Sequence, residues 1–283
     1  MKGASGFYVK DFSLEHTFAS GQVINFVGEF GKANGMQRLD FYTTRGIFKV
    51  SFRPTGGSGC GYLSYEYLGH YTEADARRAL LLSLGLHKGV SRIYALLGKD
   101  ALLAKAISRF YGMRVTQTDP WQTAVCFIAS QFNSIKRIRQ IVHKLSRKFG
   151  ERLQDGSVLF PGAESIASSS VRELAECGLG FRAKYVLDFA RGCVSSFDLG
   201  ALYRMKYPQA KEALMSFDGI GDKVADCILL FGYGKQEAFP VDVWIKRIVE
   251  KEYFKGRKQS MNAIHKFAEE KFGAYAGYAQ QYL

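Results

Sequence analysis

The residues with most chemical potential lie in one stretch, Phe217-Asp218-Gly219-Ile220-Gly221-Asp222-Lys223. Two glycines flanking one apolar residue permit a tight turn with positive φ. They also let successive backbone N–H groups converge into a concavity that fits a phosphate. A helix starting at Lys223 adds its positive end on the same side. An ordinary helical hairpin with a glycine-rich turn has the same Gly-x-Gly, so the turn alone leaves both readings open. Lys223 adds a second feature. Lysines favour the other end of a helix, and a lysine amine in its neutral form is a nucleophile. Downstream, Phe239-Pro240-Val241-Asp242-Val243-Trp244 places a carboxylate just after a proline. Asp242 is the natural N-cap of a helix Val243 to Glu250. Capping alone explains an aspartate there; a carboxylate facing Lys223 and stabilising a cation explains it equally.

These residues need elements to hold them. Gln209, Ala210, Leu214, Met215 and Phe217 predict a short helix before the turn, and Lys223 to Phe231 one after it. Between Trp121 and Phe149 the apolar residues Ile128, Phe132, Ile135, Ile138, Val142, Leu145 and Phe149 recur at steps of three and four. That is an amphipathic pattern, read as two helices with a break near Asn133. Lys136, Arg137, Arg139, Lys144, Arg147 and Lys148 share the polar side, and no acidic residue lies between Asp119 and Glu151. A single-sign run is either a solvated face or a phosphate-binding one.

The earlier part of the chain reads as β. Val23, Phe26 and Val27 follow the turn Ser20-Gly21-Gln22. Phe41, Tyr42, Ile47, Phe48, Val50 and Phe52 predict a hairpin around Thr43 to Gly46, and Tyr62 to Leu68 another strand. Gly56, Gly57, Gly59 and Gly61 read as a loop. Helical period begins at Thr72-Glu73-Ala74-Asp75. The expected fold class is α+β: an N-terminal antiparallel β-sheet domain with helices over 1–117, then an all-α domain over 118–283 whose last helix packs back on the first.

Composition agrees with a folded, anion-binding protein. The chain has 283 residues, 47% of them apolar, which suffices for a core and argues against disorder. The net charge of +13 suits a polyanionic partner, or simply keeps the protein soluble. The five cysteines, Cys60, Cys126, Cys177, Cys193 and Cys227, show no C-x-x-C pair. Free thiols in a reducing compartment are expected. With no leader and no membrane-length apolar run in view, the expectation is an intracellular protein without a membrane partner.

Gly219 to Cys227 followed by Pro240-Val241-Asp242-Val243 resembles the helix–hairpin–helix DNA glycosylase superfamily, and within it the 8-oxoguanine DNA glycosylase branch. Asp119-Pro120, Ile135 with Arg137, Gly178 to Val186, Ser20-Gly21-Gln22 and Gly277-Tyr278-Ala279-Gln280 agree in order and spacing. The likeness therefore spans almost the whole chain. It implies a bifunctional glycosylase and lyase acting on double-stranded DNA that carries 8-oxoguanine, normally opposite cytosine, as a monomer and without metal or redox cofactor. Lys223 and Asp242 would be catalytic. Gly21 would read the damaged base through its carbonyl, Cys227 would lie against it and Gln280 would bond its Watson–Crick edge. Phe181 would be the wedge and Arg137 would contact the widowed cytosine. Arg182, Asn133, Trp244, Gly219 and Gly221 complete the DNA-binding set. Three positions depart from the family. Phe132 aligns where relatives carry an asparagine that enters the helix gap, which implies looser opposite-base preference. Trp244 replaces a phosphate-contacting histidine. The pocket-closing phenylalanine would fall just beyond Leu283, with Tyr282 as the nearest substitute. A glycosylase for another damaged base and a non-enzymatic helix–hairpin–helix binder are the alternatives; neither needs Lys223 together with Asp242.

Overall fold

The structure is a computed structural model that describes residues 2–30, 35–55, 57 and 59–283. Its strands are β1 (Lys2–Val9), β2 (Phe26–Glu29), β3 (Gln37–Tyr42), β4 (Gly46–Pro54) and β5 (Gly61–Gly69). Around and after them come α1 (Leu14–Ala19), α2 (Glu73–Ser83), α3 (Ser91–Leu97), α4 (Ala101–Arg109), α5 (Pro120–Ser130), α6 (Ile135–Phe149) and α7 (Ala163–Ala167). The remainder is α8 (Val171–Leu174), α9 (Arg182–Ser195), α10 (Tyr207–Met215), α11 (Asp222–Tyr233), α12 (Val243–Tyr253), α13 (Met261–Phe272) and α14 (Ala276–Tyr282). The class is α+β, as the sequence implies.

The five strands form one antiparallel sheet in the order β1-β5-β4-β3-β2. The hairpin at Thr43 to Gly46 pairs Phe41 with Phe48, whose rings stack at 4.8 Å. Strand β5 alternates Leu63, Tyr65 and Tyr67 inward with Tyr62, Ser64 and Glu66 outward, the period of a half-buried strand. The inward row meets Phe12, Leu14 and Phe18 and, from α2, Ala76 and Leu80, to make the smaller core. Thr72 caps α2 through a bond to Asp75 N at 3.1 Å. Strand β1 was not predicted. Its Gly3 and Gly6 break the alternation, because a Cβ at either would run into the rings of Tyr67 and Tyr62 on β5. The expected strand after Gly21 begins only at Phe26. The glycine loop is present at Gly57 and Gly59, Gly61 opens β5, and Gly56 lies outside the described residues.

The larger core belongs to the helices. It gathers α5, α6, α9, α10 and α11, and also Val90, Ile93, Leu97, Leu103, Ile107 and Met113 from before residue 118. The break in the 121–149 pattern is real: α5 ends at Ser130 and α6 starts after Ser134, whose hydroxyl accepts from Arg137 N. Helix α14 packs on residues of the larger core that precede residue 118, with Tyr282 Oη bonded to Tyr94 Oη at 2.9 Å and to Met113 O at 3.0 Å. Two buried side chains bind distant segments of the first 117 residues together. Arg114 donates to the carbonyls of Lys10, Asp11, Gly85 and Lys88. Gln22 donates to Arg114 O at 2.8 Å and accepts from Thr116 N at 2.9 Å. Truncating Gln22 to alanine strands these backbone groups, at a cost of about 1–3 kcal/mol. A fall in the urea midpoint with unchanged slope would show it.

Candidate active site

Helix α11 needs no side-chain cap; Gly221 stands at its N-cap with extended backbone. The two hairpin glycines have different reasons to be glycine. Gly219 has φ +84°, and a Cβ there would sit 2.4 Å from the Tyr185 ring. Gly221 has negative φ, is exposed, and a Cβ would meet nothing within 4 Å. Nothing among the described residues demands glycine at 221, and the open space above it admits a close external approach. Gly219→Ala should therefore cost about 1–3 kcal/mol of stability. Gly221→Ala should leave stability within about 0.5 kcal/mol and weaken anion binding. Thermal melts beside a binding titration separate the two.

Lys223 stands in the first turn of α11, half-buried, with Nζ 5.2 Å from the Phe127 ring centroid. Cys227 follows one turn later and is buried. Burial pushes its thiol up to about 12, against the opposing pull of the Lys223 charge. It is a neutral thiol at ordinary pH and no rival nucleophile. Asp242 caps α12 as predicted, but with one oxygen only: Oδ1 accepts from Trp244 N at 2.9 Å and Ile245 N at 2.8 Å. Its second oxygen has no hydrogen-bond partner among the described residues and is free for chemistry.

Lys223, Asp242 and Cys227 share one cavity of about 410 Å³ with Gly21, Gln280, Asn133 and Trp244. Seven residues chosen from sequence thus converge from α11, α12, α14 and two loops. Gly21 has φ +84°, and Gln22 pins its turn from below through Nε2 to Ser20 Oγ at 2.8 Å. Asn133 spends its amide on Ala129 O at 2.8 Å, closing the end of α5. Gln280 faces the cavity with its carbonyl bonded by Gln281 Nε2. Trp244 is 68% exposed and carries the Arg247 guanidinium 5.2 Å from its ring centroid.

Phe181, Arg137 and Arg182 are not among the residues lining the cavity. Phe181 is 57% exposed, at the start of α9. The turn before it is a π-type turn, with positive φ at Gly178 and Gly180. Arg137 is exposed on α6, and a Cβ on Gly178 would lie 3.0 Å from its Nη2. Arg182 stands differently from expectation. It is only 7% exposed, and its guanidinium donates to Gln131 O and, at 3.1 Å, to Leu179 O. Its donors are spent on the protein, so it clamps the loop after α5 rather than reaching DNA. Tyr282 is also corrected: its hydroxyl points at Tyr94 and Met113, and the ring does not line the cavity.

The aromatic wall comes instead from a pair that sequence reasoning passed over. Phe127 and Phe231 stack at 5.5 Å with 18° between planes, and both line the cavity. Phe231 falls four residues after Cys227 and eight after Lys223, on one helical face, which was the available signal. Phe132 is the other surprise. It is 94% exposed with φ +51°, a backbone state costly for a bulky side chain. No packing within the chain accounts for an aromatic held there.

Residues 125–273, more than half the chain, match the model of the HhH-GPD superfamily of base excision DNA repair proteins. The chain belongs to that superfamily. This HhH-GPD protein is 31% identical over 208 residues to a probable N-glycosylase/DNA lyase of Methanothermobacter thermautotrophicus, matching 65% of this chain and 66% of that one. The chain thus spans just under two thirds of that relative's length. Among solved structures it superposes on MBOgg1 bound to a low-affinity DNA ligand with a TM-score of 0.86 at 31% identity, covering 100% of this chain and 96% of that one. It superposes on the 8-oxoguanine glycosylase/lyase of Clostridium acetobutylicum, bound to duplex DNA with cytosine opposite 8-oxoG, at TM-score 0.85 and 27% identity, covering 100% and 95%.

Proposed function

We propose that this HhH-GPD protein is a bifunctional N-glycosylase/DNA lyase that removes 8-oxoguanine from duplex DNA. The observation that carries the reading is the meeting of Lys223, the free oxygen of Asp242 and the Gly21 turn in one cavity. A monofunctional glycosylase has no use for the lysine, and a pure binder has no use for the cavity. The full-length likeness to an 8-oxoguanine glycosylase/lyase supports the substrate. Breaking and remaking bonds this way asks for no metal or redox group.

A stacked base shields its glycosidic bond, so the nucleotide must leave the helix at a cost of a few kcal/mol. Phe181 and Phe132 are the exposed aromatics beside the cavity mouth that can fill the space left behind. The base enters between the Gly21 turn and the Phe127–Phe231 wall. A carbonyl at Gly21 accepts a hydrogen bond from N7–H, which 8-oxoguanine has and guanine lacks. Cys227 packs on the base and Gln280 meets its Watson–Crick edge. As the C1′–N9 bond breaks, its electron pair leaves with the base, which takes up a proton. Positive charge develops on the sugar, as in glycoside hydrolysis, and Asp242 stabilises it. The Lys223 amine bonds to C1′ and loses a proton, and the ring opens to an imine. Loss of a C2′ proton then expels the 3′ phosphate and cuts the strand. Gly219 and Gly221 hold a backbone phosphate, and Arg137 faces the opposite base.

Borohydride reduction in the presence of a duplex with one 8-oxoguanine opposite cytosine is the direct test. The expected result is a covalent adduct with the lesion duplex and none with a guanine duplex. Tight lesion binding without an adduct would defeat the lyase assignment. Phe132 bears on the opposite base. Stacking tolerates any base, whereas an amide reads base edges at about 1–3 kcal/mol per good pair. Phe132→Asn should therefore raise the ratio of excision opposite cytosine to that opposite adenine by about fivefold or more, measured under single turnover.

A further inference from the structure

A second cavity, of about 800 Å³, opens between the edge strand β2 and helix α6. It adjoins the active-site cavity: Ile24 lines both, and α6 gives Ile135 and Ile138 to one and Arg139 to Arg147 to the other. Its basic groups are Arg139, His143, Arg147 and Arg152. The first three are spaced by four residues, so they form one stripe along α6 with steps of about 6 Å. Among the described residues none of the four has a carboxylate partner within ion-pair distance. The nearby Asp155 is turned onto Ser157 N and Oγ. Arg139 is held in place by the Phe26 ring, 4.2 Å away.

Basic side chains without an ion pair among the described residues do not by themselves define a site; the floor of the crevice adds a second feature. Ser146 lines it, is 7% exposed, and its hydroxyl has no hydrogen-bond partner. The hydroxyl is enclosed as it stands, and a buried hydroxyl without a partner costs about 1–3 kcal/mol, a cost removed when rotation about χ1 turns it onto an oxygen acceptor in the crevice. The guanidiniums of Arg139, Arg147 and Arg152, beside a hydroxyl without a partner among the described residues, fit a phosphodiester.

We infer that the crevice between β2 and α6 is a second phosphate-binding track for the DNA backbone, separate from the hairpin at Gly219–Gly221. The inference rests on the protein's acting on DNA. It places the substrate across both cores, with α6 running from the flipped nucleotide into the flanking backbone. The extra contacts supply affinity that does not depend on the lesion.

The test is the salt dependence of duplex binding by the full chain. Each phosphate contact contributes about 0.9 to the slope of log K against log salt. Arg147→Ala with Arg152→Ala should lower the slope by about 1.8 on a long duplex, and leave it unchanged on one too short to reach the crevice. Single-turnover excision at saturating DNA should be unaltered. Ser146→Ala should weaken long-duplex binding several-fold with the slope intact, since it removes a neutral donor. An unchanged slope in the double variant would overturn the inference and leave the crevice to an acidic protein segment. Full affinity in Ser146→Ala would also overturn it, reducing the crevice to diffuse charge. Undamaged duplex serves for every binding measurement, so failure to excise 8-oxoguanine would count against the proposed activity alone.

Discussion

Lys223→Gln is expected to abolish strand cleavage and borohydride trapping, with a loss of at least about a thousandfold, or roughly 4 kcal/mol of barrier. Glutamine matches the lysine stem but its amide nitrogen cannot attack C1′ or form an imine. The fold should hardly register the change. Lys223 makes no ion pair among the described residues, and its Phe127 contact is worth about 0.5–1 kcal/mol. Lesion-duplex affinity should persist, because the phosphate and base contacts are elsewhere. Single-turnover incision beside a gel-shift titration gives both numbers. Incision near the wild-type rate with tight binding retained would remove Lys223 from the mechanism.

Asp242→Asn is the second large effect, and its logic depends on how the carboxylate is used. One oxygen caps α12; the other is open to the cavity. Asparagine caps about as well as aspartate, so the melting temperature should stay close to that of the wild type. What disappears is the negative charge opposite the developing sugar cation. Loss of one preorganised electrostatic contact costs about 10²–10³ in rate. Asp242→Ala should show the same loss of rate plus about 1 kcal/mol of destabilisation from the missing cap. Equal rates for wild type and Asp242→Asn would reduce the residue to a capping role.

The parts legible in the sequence share a cause: their determinants are local. The helix start at Thr72 and the cap at Asp242 were readable because a cap and its helix are neighbours in the chain. The hairpin was readable because the Gly-x-Gly turn, Lys223 and the helix it opens are neighbours in the chain. What escaped was set by distant partners. Strand β1 is formed by pairing with β5, where two tyrosines lie across its glycines and explain why its alternation is broken. Arg182 has the charge of a DNA contact, and only the folded chain brings Gln131 and Leu179 to its guanidinium. Phe127 and Phe231 stand on separate helices; that they form a wall depends on the packing of α5 against α11. Gly21 and Gln280 were reachable only through family resemblance, since a turn glycine and a C-terminal glutamine carry no chemistry of their own.

The Arg182 clamp has a further consequence. Gln131 accepts from Arg182 through its carbonyl and donates from Nε2 to Gly219 O at 2.9 Å. The phosphate turn, the loop bearing Phe132 and the start of α9 bearing Phe181 are therefore joined through two residues. A chain held at the hairpin carries both aromatic tips as one tool of fixed shape. The tips need not be ordered anew at each nucleotide, because folding has already ordered them. On the proposed function, every base pair that passes would be pressed by the same blunt instrument, and those with weak stacking would yield first.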